Sequence, residues 1–136
     1  MTNRDTKDYL RDILDYSNDA IEFTRNITFE QFKKNKKTVY AVARTLEIVG
    51  EATRKVPNSF RNENPNIPWK KITSMRDKLI HDYTGVDLDI VWKTATKFVP
   101  LLKKEIEKII WLTNMVFLQE TKAHTIHTNT AYSNLI

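Results

Sequence analysis

The sequence predicts an all-α fold, a single-domain antiparallel bundle of four to five helices. Its 136 residues include only two glycines, Gly50 and Gly85, and four prolines, whereas an all-β sandwich or a doubly wound sheet needs more turn residues. Apolar residues also recur at intervals of three and four over most of the chain, which is typical of amphipathic helices. The short connections between these segments favour antiparallel packing.

The first two helices are predicted from apolar spacing and from a capping pattern. Residues 6–24 carry one apolar stripe with charged residues on the other faces: Leu10, Ile13, Leu14, Ser17 and Ile21. This pattern predicts an amphipathic helix. Thr28, followed three residues later by Gln31, has the form of a capping box. It predicts a second, short helix that carries Phe29 and Phe32.

A third helix is predicted between the lysine-rich run 33–37 and Pro57. Its stripe is Val39, Val42, Ala43, Leu46, Val49, Thr53 and Val56. Pro57 ends it because proline cannot continue the hydrogen-bond ladder. Gly50 lies inside this helix at a cost of about 1 kcal/mol relative to alanine, which indicates a close helix crossing. Residues 57–68, rich in proline and asparagine, are predicted to be a connecting loop.

The last part of the bundle is predicted to contain two further helices. Pro68 and Trp69 suit the first turn of one, which should stop near Gly85. Asp87 or Asp89 can cap a final helix, which Pro100 should kink or split. We expect the domain to span residues 1–114 and residues 115–136 to be a tail that is poorly ordered or partner-dependent.

Composition excludes several classes of function. Without cysteine, the chain has no disulfide scaffold, thiolate zinc site, iron–sulfur cluster or cysteine nucleophile. We expect no metal site and no cofactor, since His124 and His127 are not joined by a complete ligand set. Neither a signal peptide nor a membrane span is visible, so a cytoplasmic protein is expected. A net charge of +5 favours an anionic partner, most commonly nucleic acid.

The chemistry-bearing residues concentrate in residues 74–83. Arg76, Asp77, His81, Asp82 and Tyr83 lie beside the predicted end of a helix. An imidazole titrates near ~6.5 and can exchange a proton at neutral pH, and a guanidinium matches phosphate oxygens. Metal-independent cleavage of an RNA phosphodiester requires these two groups. The alternative is structural: His81 at a helix C-terminus and Arg76 in a solvated ion pair.

Helical geometry suggests that such a site is shared between subunits. At about 100° per residue, Arg76 and His81 are about 140° apart, whereas Arg76 and Tyr83 nearly eclipse. Either the long arginine stem reaches round the helix, or a second subunit completes the site across a two-fold axis.

The string R-x-x-x-x-H-x-Y, residues 76–83, resembles the signature of HepT-type toxins in the HEPN superfamily. The flanking blocks are also similar to that family: residues 46–52 (LEIVGEA), 67–69 (IPW), 85–87 (GVD) and 91–92 (VW). The likeness covers about residues 8–112. It implies a HEPN-like helical homodimer that acts as a metal-independent endoribonuclease, with no membrane partner.

The resemblance also implies roles for individual residues. Arg76 would bind the phosphate or transition state, and His81 would transfer protons. Tyr83 matches the position at which an MNT-type nucleotidyltransferase antitoxin attaches adenylyl groups in type VII systems. Asp77 departs from the asparagine of many HEPN motifs. A carboxylate cannot donate to a phosphate oxygen, so Asp77 is expected either to orient Arg76 or His81 or to weaken cleavage.

Two other charged sets leave alternatives open. Glu47 and Glu51 form either a solvated acidic face or a support in which Glu47 contacts Arg76. A basic set is either solvated or a rim that follows an RNA backbone: residues 33–37, Arg44, Arg54, Lys70, Lys71 and Lys78. Two further alternatives for the whole chain are a non-catalytic binding or regulatory subunit of a nucleotidyltransferase and an inactive dimerisation scaffold.

Overall fold

The computed structural model describes residues 4–79 and 86–133 and confirms the all-α class, with no strand in those ranges. The helices are α1 (Thr6–Thr24), α2 (Phe29–Lys33), α3 (Lys36–Lys55), α4 (Asn58–Glu63), α5 (Trp69–Thr73), α6 (Met75–Leu79), α7 (Leu88–Lys93) and α8 (Val99–Ser133), with a π turn over Thr94–Phe98. The chain divides into two compact units, residues 1–106 and 107–136.

Side-chain caps fix the start of the first three helices. Thr28 and Gln31 form the predicted capping box, in which each side chain accepts from the other's backbone N–H. Asp5 and Asp8 form a second box at the start of α1. Asn35 Oδ1 accepts from the Thr38 N–H at 3.1 Å. Each cap pairs backbone donors that the first helical turn leaves free.

The core of the first unit lies between α1 and α3, which pack along their lengths. The predicted stripe of α3 is buried throughout. On α1 the stripe runs through Leu10, Ile13 and Ser17 as predicted and continues to Ala20 and Thr24. Leu14 and Ile21 are only half-buried, because five positions fill the α1 side of the interface.

The loop predicted for residues 57–68 is wrong in part, since six of its residues form α4. Arg61 explains its position: its guanidinium donates to the Thr53 and Val56 carbonyls at 2.8 and 3.1 Å. These bonds satisfy carbonyls at the C-terminus of α3. Trp69 Nε1 in turn donates to the Asn64 carbonyl at 2.9 Å. The connection is therefore tied to the helices on both sides.

The single helix predicted from Trp69 onward is broken at Ser74. Thr73 Oγ1 donates to the Lys70 carbonyl at 3.0 Å, and Ser74 Oγ donates to the Lys71 carbonyl at 3.2 Å. Such hydroxyls compete with the backbone ladder. The stretch therefore forms two five-residue helices, α5 and α6, on either side of Ser74. The predicted stop near Gly85 lies outside the described residues.

The last helical stretch is capped and interrupted where the sequence predicts. Asp87 accepts from the Ile90 N–H at 3.1 Å. The interruption before Pro100 is a π turn, which is closed by a hydrogen bond from the Val99 N–H to the Thr94 carbonyl. Because proline lacks an N–H and its ring crowds the preceding turn, a wider turn accommodates it.

The described backbone of α8 is helical up to Ser133. The domain boundary at residue 114 and the character of the tail 115–136 stay predictions. Among the helices described, none is long and apolar enough to cross a membrane.

Candidate functional site

The candidate site is built on α5 and α6, which pack against the C-terminal half of α3. Ile72 and Leu79 are fully buried and anchor the two short helices. Gly50 lies where α5 passes, and a Cβ there would be 3.4 Å from the Ile72 carbonyl oxygen. α5 thus crosses α3 at Gly50 at a distance that would leave a Cβ in van der Waals contact, and the next residue, Glu51, faces α6.

Arg76 is held by an ion pair with α3. Its Nη1 lies 3.0 Å from Glu51 Oε1. Arg54 Nη1 is 3.8 Å from the same oxygen, and Arg54 Nη2 donates to the Thr73 carbonyl at 3.1 Å. The Arg76 and Glu51 side chains are 52% and 45% exposed, so the pair adds little to folding stability. It does orient a guanidinium that remains open to solvent.

The predicted contact between Glu47 and Arg76 is not the one observed. Glu47 Oε2 instead accepts from Arg44 Nη1 at 3.2 Å, within α3. Glu51, one turn further along, contacts Arg76. Glu47 and Glu51 share a helix face because they are four residues apart, so their spacing alone could not separate them. The crossing at Gly50 places α6 beside the later turn.

The remaining predicted site residues are less fully defined. Asp77 is exposed in the first turn of α6, and its expected role stays a prediction. His81 and Tyr83, predicted as the proton-transfer and modification residues, lie in residues 80–85, outside the described ranges. In the part of the chain that is described, no three His, Cys, Asp or Glu residues form a candidate metal site.

Six members of the basic set identified in the sequence fall into two groups. Three of its members form ion pairs within their own helices: Lys33 with Glu30, Arg44 with Glu47, and Arg54 with Glu51. Lys70, Lys71 and Lys78 are exposed on α5 and α6 and line surface pockets. The cations beside the candidate site are therefore Arg54, which approaches the same Glu51 oxygen as Arg76, and the exposed lysines of α5 and α6.

Comparison with known proteins adds a family match. A family model described as "Ribonuclease HepT-like" matches residues 13–109. A "Putative RNase" of Methanocaldococcus jannaschii is 52% identical over 110 residues, 81% of this chain and 91% of the relative. The "Probable ribonuclease HepT" of Thermococcus cleftensis is 50% identical over 106 residues, 78% of this chain and 96% of the relative. No solved structure gives a significant match.

Proposed function

Because the chain belongs to the HepT-like ribonuclease family, we propose that it is a metal-independent endoribonuclease and the toxin of a type VII toxin–antitoxin pair. The observation that carries the proposal is Arg76. It belongs to the R-x-x-x-x-H-x-Y string, it is solvent-exposed, and Glu51 orients it against the packed helix α3.

The proposed reaction is attack of a ribose 2′-oxygen on the adjacent phosphorus. The 2′-OH loses its proton, the bond from phosphorus to the 2′-oxygen forms, and the bond to the 5′-oxygen breaks as that oxygen gains a proton. His81 transfers protons, and Arg76 stabilises the charge on the phosphorane. One Nη of Arg76 is bonded to Glu51. Among the described residues Glu51 is the hydrogen-bond partner of this guanidinium, so its other N–H groups can bind phosphate oxygens.

The proposal includes a homodimer, since Arg76 and His81 are about 140° apart on an ideal helix. A two-fold axis would place the Arg76 of one subunit near the His81 of the other. It also includes neutralisation by adenylylation of Tyr83, catalysed by an MNT-type nucleotidyltransferase antitoxin in the cytoplasm. A bulky anionic group beside Arg76 and His81 would repel RNA.

The central experiment is RNA cleavage by the purified protein in EDTA. We expect His81→Ala to abolish cleavage and to leave the helical circular dichroism and the dimer mass unchanged. His127→Ala, which removes a tail histidine, is the matched control and should cleave normally. Cleavage by His81→Ala at the wild-type rate would overturn the catalytic assignment, and binding of RNA without cleavage by the wild type would favour the non-catalytic module.

Adenylylation is tested by the intact mass of the protein after incubation with the nucleotidyltransferase and ATP. The wild type should gain adenylyl mass and lose ribonuclease activity, whereas Tyr83→Phe should gain none. Tyr40→Phe is the control, because Tyr40 is a tyrosine of α3 that is 61% exposed. An unchanged mass gain in Tyr83→Phe would assign the modification to another residue.

Asp77 favours a second candidate, an inactive HEPN-like scaffold. On that candidate the wild type cleaves little or no RNA, and Asp77→Asn should raise cleavage at least several-fold, since an amide can donate to a phosphate oxygen where a carboxylate repels it. Asp19→Asn, on the exposed face of α1, is the control. Loss of cleavage in Asp77→Asn would instead assign Asp77 a role in orienting Arg76 or His81.

A further inference from the structure

Two surface pockets border α5 and α6, the pair of short helices that we call the platform. The same two lysines line both pockets. The larger pocket, about 840 Å³, lies along α4 and α5. The smaller one, about 310 Å³, lies between α5, α6 and the stretch from α7 to the start of α8. Lys71 of α5 and Lys78 of α6 line each of them. We call this pair the lysine ridge.

The smaller pocket combines an apolar floor with cations. Met75, Ile90, Phe98 and Leu101 supply the apolar surface. Lys71 Nζ lies 5.2 Å from the centre of the Phe98 ring, a cation–π distance. Lys97 is exposed at the rim, and no carboxylate is among the described lining residues. An apolar surface with a cationic rim is suited to a nucleobase and its phosphate.

The larger pocket offers a different set of groups. Lys70 adds a third lysine, Asn58 and Asn62 supply amides that can donate and accept, and Pro68 supplies apolar surface. Amides of this kind can pair with base edges and sugar hydroxyls, whereas the lysine ammonium groups bind phosphates as point charges. The two pockets therefore offer complementary contacts on either side of one ridge.

We propose that the lysine ridge and its two pockets bind the RNA nucleotides that flank the cleaved bond. Arg76 and Lys78 are two residues apart on α6, about 3 Å along the helix axis, and their side chains diverge by about 160°. In this proposal, a strand that passes across α6 contacts Arg76 and Lys78 through different phosphates. The inference rests on the proposed ribonuclease function and adds where the substrate lies beyond the reacting phosphate.

An acidic partner protein is the competing occupant of a cationic surface. RNA is favoured because Lys78 of the lysine ridge lies on α6, the helix that also carries Arg76. Both pockets also combine base-sized apolar surface with cations, and single-strand binding sites join these two features.

The test compares Lys71→Ala/Lys78→Ala with wild type on a long oligoribonucleotide and on a dinucleotide. We expect KM for the long RNA to rise about tenfold with kcat little changed, and dinucleotide cleavage to be unaffected. The slope of log Kd against log salt should fall by about 1.4, that is, about 0.7 for each lost phosphate contact. An unchanged KM and salt slope would overturn the proposal.

The matched control is Lys36→Ala/Lys37→Ala, which makes the same change in net charge. Those lysines lie in the first turn of α3, about 20 Å along the helix from Gly50, beside which α5 passes. We expect normal KM and salt slope. An equal rise in KM and an equal fall in the salt slope in this control would show that net charge alone causes the effect. That result would overturn the site.

Leu101→Ala tests the apolar floor and should raise KM for the long RNA a few-fold. Leu101 is 64% exposed, so folding is preserved. Absence of cleavage by the wild type would refute the proposed function, while RNA binding measured by fluorescence anisotropy still tests the ridge. Loss of nucleotidyltransferase binding by the double variant, with RNA binding intact, would assign the ridge to the partner protein instead.

Discussion

The interface between α1 and α3 and the platform of α5 and α6 are built on opposite principles. The first joins helices of 19 and 20 residues through fully buried side chains such as Ile13 and Leu46. The second consists of two five-residue helices that bury two anchors each and expose Arg76 and four further charged residues: Lys70, Lys71, Asp77 and Lys78. Under the proposed function, folding stability and RNA recognition therefore depend on different residues, and substitutions should separate them.

The largest effect is expected in the interface. Leu46→Ala removes a fully buried side chain and should lower the free energy of unfolding by about 2–5 kcal/mol, from lost burial and the cavity left behind. Chemical denaturation measures it. Leu101→Ala removes the same atoms from an exposed position and should change stability by less than about 0.5 kcal/mol. Equal losses of unfolding free energy in Leu46→Ala and Leu101→Ala would contradict the division between residues that stabilise the fold and exposed residues that do not.

Arg76→Ala should show the reverse pattern on the platform. Loss of a fixed cation at the phosphorane should lower kcat/KM about 10²–10³-fold, whereas the unfolding free energy should change by no more than about 1 kcal/mol, since the ion pair is half exposed. Cleavage kinetics and denaturation on one preparation measure both. Arg44→Ala is the control, because Arg44 also forms an exposed pair with a glutamate of α3.

Glu51→Gln should have a smaller effect, because Glu51 acts on the reaction only by orienting Arg76. We expect kcat to fall about tenfold, roughly 1.4 kcal/mol, with thermal unfolding little changed. Glu47→Gln, one turn earlier on the same face, should cleave normally. If Glu47→Gln is the impaired variant and Glu51→Gln is not, the ion pair at Glu51 does not support the reaction.

The smallest effect is expected at Ser17, in the interface. Its Oγ is fully buried and has no hydrogen-bond partner among the described residues. Ser17→Ala removes an unsatisfied polar group and should leave stability unchanged or raise it by up to about 1 kcal/mol. Thr53→Val is the contrast, because Thr53 Oγ1 donates to the Val49 carbonyl at 2.7 Å. That variant should lose stability.

The same contrast explains how far the sequence could predict the structure. Apolar spacing predicted α1 and α3, and the Thr28–Gln31 pattern predicted the start of α2, since these signals are local. The break at Ser74 accompanies hydroxyl groups of Thr73 and Ser74 bonding to carbonyls of α5, and α4 is held by Arg61 reaching the end of α3. Neither contact has a periodic signature.

Within the candidate site, the motif predicted Arg76 but not its partner. Glu47 and Glu51 are equivalent on a helix face, and only the crossing at Gly50 distinguishes them. The lysine ridge was part of a longer basic set in the sequence, because charge alone does not tell which lysines line a pocket. Both results depend on segments far apart in the chain.

The π turn before Pro100 changes the spacing at which buried residues recur along this helical stretch. Val91, Ala95 and Val99 are all fully buried, although two successive four-residue steps on an ideal α-helix would rotate about 80° away from the starting face. The turn contains one residue more than an α-helical turn would and keeps the three on one side. Deletion of one residue from Thr94–Phe98 would therefore turn this stretch into an ordinary α-helix and still leave Val91 and Val99 on one face, because seven residues rotate by about 700°, within about 20° of two full turns.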